Sequence, residues 1–238
     1  AVDGVGLLTL PRILPMVARG LLASRHILNQ FKPDVLFFTG GYVAVPVAVA
    51  GRSIPSLLYV PDIEPGMALK SLAGMADVIT VTTAESQKFF NKKVYETGYP
   101  VRKDLALWDR NTASQHLGVN DGAPVLLVFG GSKGAHSINL AVLNNLRALL
   151  EKFELIHISG EQDWELVQQA RVQLPAGPAA RYHALPYLHE MGAALAAADL
   201  VLSRAGASTL GEYPLFGLPA ILVPYPHAWR YQKVNADY

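Results

Sequence analysis

Short apolar runs recur along the chain, each followed by a stretch of helical character. They read "DVLFFTG" (34–40), "PSLLYV" (55–60), "DVITVTT" (77–83), "KVYETG" (93–98), "PVLLVFG" (124–130), "ELIHISG" (154–160), "RYHALPY" (181–187), "DLVLSR" (199–204) and "PAILVPY" (219–225). Their apolar positions are continuous rather than alternating, which predicts parallel strands buried on both faces. Helices are predicted between them, most clearly over 135–151, 163–173 and 187–198. Strand and helix in alternation predict α/β layers joined by right-handed crossovers. One segment, "YPVRKDLALWDRNTASQHLGVNDGAP" (99–124), breaks the rhythm with mixed charge and the turn signal Asn120-Asp121-Gly122. A domain boundary is therefore placed near residue 105, giving domains 1–105 and 106–238, both doubly wound. Two such domains would face a cleft at the carboxyl ends of their strands, where ligands of this architecture sit.

Composition narrows the field. With 238 residues, 51% of them hydrophobic, the chain can bury one large core or two of ordinary size. A net charge of +1 makes no global case for a nucleic-acid partner. The absence of cysteine excludes disulfides and cysteine-based zinc sites. The early apolar stretch "GLLTLPRILPMVARGLLA" is interrupted by Pro11, Arg12, Pro15 and Arg19. A membrane-spanning helix needs about 20 mostly apolar residues, so a soluble or peripheral protein is expected. The chain starts without Met and stops at "YQKVNADY", just as a helix begins, and so reads as a fragment.

Candidate chemistry lies in the loops after the strands. In "SRAGASTLGE" (203–212), Thr209 as N-cap with Glu212 three residues on would form a capping box. The same residues suit a nucleoside diphosphate. A helix start offers unpaired N–H groups to phosphate, and a carboxylate one turn in can accept from both ribose hydroxyls. In "VFGGSKGAHSIN" (128–139), Gly130, Gly131 and Gly134 follow a strand and open a helix. This is neither G-x-G-x-x-G nor a Walker sequence, which disfavours a nicotinamide dehydrogenase. It is a tight turn or a nest in which Ser132 and the backbone amides hold phosphate. Arg102, in "GYPVRKD", is either a solvated loop residue or a phosphate clamp. Gln232 and Asn235 share a helical face able to bond sugar hydroxyls, beside a lone His227. No D-x-D pair is present; Asp62-Ile63-Glu64 is a poor substitute, and neither metal nor cofactor is expected.

Taken in order, "PDVLFFTGGY", "GYPVRKD", "GGSKGAHSIN", "SRAGASTLGE" and "GLPAILVPYPHAWRYQKVNA" resemble one enzyme group over nearly the whole chain. They are similar to the MurG-type N-acetylglucosaminyltransferases of peptidoglycan synthesis, inverting enzymes with two Rossmann-like domains. The resemblance implies a UDP-sugar donor, with Ser208 and Thr209 at the diphosphate, Glu212 on the ribose and Leu188 at the uracil. It brings Ser132 and Arg102 to the phosphates and Gln232, with Asn235, to the donor sugar. The turn of Gly40, Gly41 and Tyr42 would lie on the acceptor side. It further implies a lipid-linked acceptor and a cytoplasmic enzyme peripheral to the inner face of the cell membrane. The catalytic base is expected upstream, on a glycine-rich loop with a histidine that this chain lacks. Where the family carries H-E-Q-N, this chain reads "YVPD" at 59–62, so the resemblance does not extend to the acceptor's identity.

Arg12, Arg19 and His26 recur every seven residues, forming one stripe on a helix. That stripe is either the solvated edge of a packed helix or a surface resting on anionic lipid. The mechanism expected is metal-free displacement, in which an acceptor hydroxyl attacks the anomeric carbon and preorganised donors stabilise the departing diphosphate. The competing readings are a transferase with another lipid acceptor, a UDP-sugar 2-epimerase, and a non-catalytic UDP-sugar-binding fragment.

Overall fold

The computed structural model describes residues 10–120, 122–226 and 230–238. Asp121 of the expected turn, His227 and the side chain of Arg12 lie outside the described residues. The chain divides into two compact units, Ala1–Tyr99 and Pro100–Tyr238, a few residues ahead of the boundary read from composition.

The first unit runs α1 (Leu10–Phe31), β1 (Leu36–Phe38), α2 (Ala44–Ala50), β2 (Ser56–Val60), α3 (Met67–Met75), β3 (Val78–Val81) and β4 (Val94–Glu96). Its strands are all parallel, in the order β1-β2-β3-β4. Alternate residues Leu36, Phe38, Leu58, Val60, Ile79 and Val81 form the core with Ala48 of α2 and Leu69 and Leu72 of α3. On the opposite face Phe37 is 61% and Val78 40% exposed. Among the described residues the expected burial on both faces thus fails at β1 and β3, while Tyr59 of β2, on the same face, is 8% exposed.

The second unit contains α4 (Arg110–Leu117), β5 (Val125–Phe129), α5 (His136–Asn144), α6 (Leu146–Leu150), β6 (Glu154–Ile158), α7 (Trp164–Val172), α8 (Ala176–Ala180), β7 (Tyr182–Leu185), α9 (Met191–Ala197), β8 (Leu200–Ser203), α10 (Thr209–Phe216), β9 (Ala220–Leu222) and α11 (Tyr231–Asp237). Its parallel strands are ordered β7-β6-β5-β8-β9. Here the central strands are covered on both faces, every residue of β6 being buried, whereas the edge strand β9 leaves Ile221 52% exposed. Counted within the unit this is 3-2-1-4-5, the doubly wound order, with the order of strands reversing between β5 and β8.

Two helical expectations and one interruption need amendment. The helix read over 135–151 breaks at Asn145, whose side-chain amide donates to Ala141 O at 2.9 Å and so competes with the helical ladder. The helix read over 187–198 starts only at Met191. The segment read as an interruption carries α4, capped by Asp109, whose carboxylate accepts from Asn111 N and Thr112 N, and ended by Gly118 at φ 67°.

An aspartate preceding a strand plays the same part in each sheet. Asp77 accepts from Ser56 N and Asp199 from Val125 N, both at 2.8 Å, tying the starts of neighbouring strands together. Asp199 also receives both arms of Arg110 (2.7 and 2.8 Å), which holds its carboxyl below the usual range.

Candidate functional site

The strand reversal of the second unit decides where its chemistry can gather. Phe129 and Ser203, the last residues of β5 and β8, are register partners. The glycine loop after β5 and the small-residue loop after β8 therefore leave the sheet side by side. Ligands of doubly wound sheets bind in this crevice outside the carboxyl ends.

After β8 the chain forms a loop of Ala205, Gly206, Ala207 and Ser208 before α10. The expected capping box does not form. Ser208 holds the N-cap position in helical conformation without a side-chain cap, and Thr209 is already the first helical residue. The Thr209 hydroxyl and N–H both donate back to Gly206 O, at 2.7 and 3.1 Å. Thr209 thus braces the loop. The N–H groups ahead of it, on Gly206, Ala207 and Ser208, make no backbone hydrogen bond among the described residues. These are the donors that a helix start holds out to an anion.

Glu212 stands one turn into α10, half-buried, and burial raises its carboxyl above the ordinary carboxylate range. A hydrogen bond from Ser208 and the charge of Arg102 pull the other way. Arg102, proposed apart from the motif that holds Ser208 and Glu212, thus lies near enough for its charge to act on the same carboxylate. Arg102 remains 59% exposed, with Asp104 at 3.6 Å.

In the glycine loop, Gly131 and Gly134 have φ of 90° and 78°. A Cβ on Gly134 would lie 2.0 Å from Ser159 O, and one on Gly130 would lie 2.3 Å from Ala135 N. The turn after β5 is thus pressed against the turn after β6, and the tight-turn reading holds for these two glycines. That leaves Ser132 exposed at the tip of the loop.

A polar network behind this loop went unread in the sequence. Asn139 of α5 donates its amide to Ser159 O (2.8 Å) and to Asp163 (2.6 Å), leaving its oxygen to accept from His157 Nε2 (3.0 Å). Nδ1 of His157 then accepts from the Tyr182 hydroxyl at 2.8 Å. Burial pushes the imidazole down to about 4, so the ring is neutral at pH 7. His136 Nδ1 closes the outer end on Asp163 at 2.8 Å.

The residues assigned to uracil and sugar are placed differently from one another. Leu188 is half-buried in the loop after β7, against the core of the unit. Gln232 accepts from Tyr225 N through Oε1 at 2.8 Å. Asn235 is 2% exposed and donates to Ala205 O at 3.2 Å, which places it behind the loop as a support. In the first unit, Gly40 and Gly41 adopt φ of 122° and 84° at the turn after β1, and Tyr42 follows them, 41% exposed. Of the Asp62-Ile63-Glu64 trio, Glu64 is buried and lies 3.4 Å from Lys70. Among the described residues, no group of three or more His, Asp or Glu side chains is placed to hold a metal ion.

Comparison with known proteins agrees with this architecture. The family model described as the glycosyltransferase family 28 C-terminal domain matches residues 125–238. Over 275 aligned residues the chain is 39% identical to the "UDP-N-acetylglucosamine--N-acetylmuramyl-(pentapeptide) pyrophosphoryl-undecaprenol N-acetylglucosamine transferase" of Roseiflexus sp. (strain RS-1), covering all of this chain and 62% of that protein. It is 37% identical over 237 residues to the protein of the same name from Desulforamulus reducens, covering 94% and 63% of the two. The crystal structure of Acinetobacter baumannii MurG superposes with a TM-score of 0.70 at 27% identity, over 93% of this chain and 61% of that one. The chain thus spans about three fifths of the length of the curated relatives it matches.

Proposed function

Because this chain belongs to the MurG-type glycosyltransferase family, we propose that it binds a UDP-sugar in the crevice of its second unit. There it moves N-acetylglucosamine to a lipid-linked acceptor with inversion. The observation that carries this reading is the convergence of Arg102, Ser208 and Glu212 beside open backbone donors where the strand order reverses. The diphosphate would lie across the N–H groups of Gly206, Ala207 and Ser208 and the tip of the glycine loop, with Arg102 near. Glu212, ionised, would accept from the ribose hydroxyls, and Leu188 would border the uracil. Thr209 acts through the loop it braces, and Gln232 would meet the donor sugar.

In the transfer, an acceptor hydroxyl oxygen bonds to the anomeric carbon from the face opposite the diphosphate. The carbon–oxygen bond to UDP breaks, leaving its electron pair on the phosphate oxygen. Fixed donors aimed at that oxygen lower the barrier because they need no reorientation as charge develops. We assign no residue of this chain as the base that takes the acceptor's proton.

The acceptor side belongs to the first unit, at Gly40, Gly41 and Tyr42. Contact with the inner face of the cell membrane is proposed through α1. Gly20, Ser24 and Leu28 are its more buried positions, while Met16, Leu22, Ile27 and Phe31 are 59–78% exposed beside Arg19, Arg25 and His26. No helix among the described residues is long and apolar enough to cross a bilayer, and this pattern favours a helix lying in the headgroup boundary.

Calorimetric titration with UDP tests the donor site. The chain is expected to bind UDP, and Glu212→Ala to weaken it about 10- to 100-fold, the scale of hydrogen bonds to a charged acceptor. An affinity unchanged within about twofold, well short of one factor of ten, would remove Glu212 from the ribose.

A further inference from the structure

Arg204, the residue directly after β8, has no part in the donor contacts assigned above, yet three connections meet on it. One guanidinium nitrogen donates to the Ser137 hydroxyl at 2.9 Å, at the start of α5 behind the glycine loop. Another donates to Val223 O at 3.2 Å and Pro224 O at 3.4 Å, in the turn after β9. The plane lies over the ring of Tyr225, with 5.3 Å to the centroid. Two amides of α11 continue the same stitching: Gln232 receives Tyr225 N, and Asn235 donates to Ala205 O. The turns following β5, β8 and β9 are thus fastened to one another by side chains. Beyond the strands the backbone adds a bond from Val223 N to Ser203 O at 2.8 Å, and the links from these turns to the glycine-loop side and to α11 are made by side chains.

We propose that Arg204 is a positioning residue for the diphosphate seat. Its planar fork sets the spacing between the glycine loop and the loop of Gly206–Ser208, so that both present their donors to one pyrophosphate. The inference rests on the functional reading above and adds to it how the two phosphate-binding turns are kept in register. Geometry, more than charge, is what the side chain supplies. A lysine keeps the charge but has a single nitrogen and cannot reach Ser137 Oγ and the 223–224 carbonyls together.

The experiment measures UDP and uridine affinities of the 238-residue chain as wild type, Arg204→Lys, Arg204→Met, Ser137→Ala and the Ser137→Ala/Arg204→Met double variant, each with a thermal melt. Arg204→Met and Arg204→Lys are both expected to lose about tenfold in UDP affinity, the scale of one hydrogen bond to a charged group. Uridine affinity should hold within about twofold, because the nucleoside does not span the two turns. Ser137→Ala should show part of the loss, and in the double cycle it should add nothing once Arg204 is gone. The hydroxyl deletion keeps the test alive if the arginine variants fold poorly. Full recovery of UDP binding by Arg204→Lys would overturn the proposal in favour of simple charge attraction. Equal loss for uridine and UDP would reduce Arg204 to a general structural role and overturn it too. Wild type failing to bind UDP would instead defeat the functional reading itself, whereas wild-type binding with unaffected variants defeats only this inference.

Discussion

Two glycines three residues apart should respond very differently to the same added methyl group. Gly131 and Gly134 both have positive φ, 90° and 78°, so alanine at either carries a backbone penalty of roughly 1–2 kcal/mol. Around Gly131 nothing lies within 4 Å of the new Cβ, and the penalty stops there. At Gly134 the methyl would sit 2.0 Å from Ser159 O. That oxygen cannot retreat cheaply, since it accepts from Asn139 and its own N–H is bonded to Leu185 O at 3.0 Å. Forcing the two turns apart adds overpacking strain of about 1–3 kcal/mol, for a total of roughly 2–5 kcal/mol. Urea unfolding followed by tryptophan fluorescence reads this directly, because Trp108, Trp164 and Trp229 all fall in Pro100–Tyr238. Gly131→Ala should shift the midpoint modestly and Gly134→Ala severely. Equal costs, within about 0.5 kcal/mol, the usual scatter of surface substitutions, would refute the close approach of the two turns.

His157 supplies a pH signature. Its folded value near 4 lies below the ordinary 6.5, so the unfolded chain takes the proton first. Its contribution is complete above about pH 6.5 and falls as pH drops toward 4, by about 1.4 kcal/mol per unit. His157→Gln should flatten urea midpoints measured across that window, and parallel profiles for variant and wild type would refute the assignment. For α1, the chain should co-sediment with vesicles of anionic phospholipid more than with neutral ones, and less at high salt. Ile27→Glu with Phe31→Glu should cut that binding about tenfold or more, given some 1.5–3 kcal/mol per large apolar side chain buried; binding that ignores both substitutions would exclude the helix as the contact.

The strands were legible because each of the nine apolar runs contains one. Continuous apolar runs leave little choice but a parallel sheet, and two of the motifs, "GGSKGAHSIN" and "SRAGASTLGE", fall on the loops at the strand reversal. What escaped was set by distance along the chain. The polar network joins Asn139, His157, Asp163 and Tyr182, and only the register of β6 with β7 and the packing of α5 bring them together. Arg204 was visible in "SRAG" without its acceptors, which lie 67 and 19 positions away. The capping box at Thr209 matched a true local pattern. It lost to the bond from that hydroxyl to Gly206 O, which starts the helix one residue earlier. The burial expected on both sides of β1 and β3 required covering elements that no pattern within a strand can report.

The two strand orders also imply two assembly schedules. In the first unit every strand joins the one just synthesised, so the sheet can grow by short closures. In the second, β8 must return past β6 and β7 to lie against β5, as the Val125–Asp199 bond across 74 positions records. Closing so long a loop costs more chain entropy than any neighbour pairing. The crevice between the turns after β5 and β8, proposed above as the donor site, is consequently among the last features to take shape, after the framework of β5, β6 and β7.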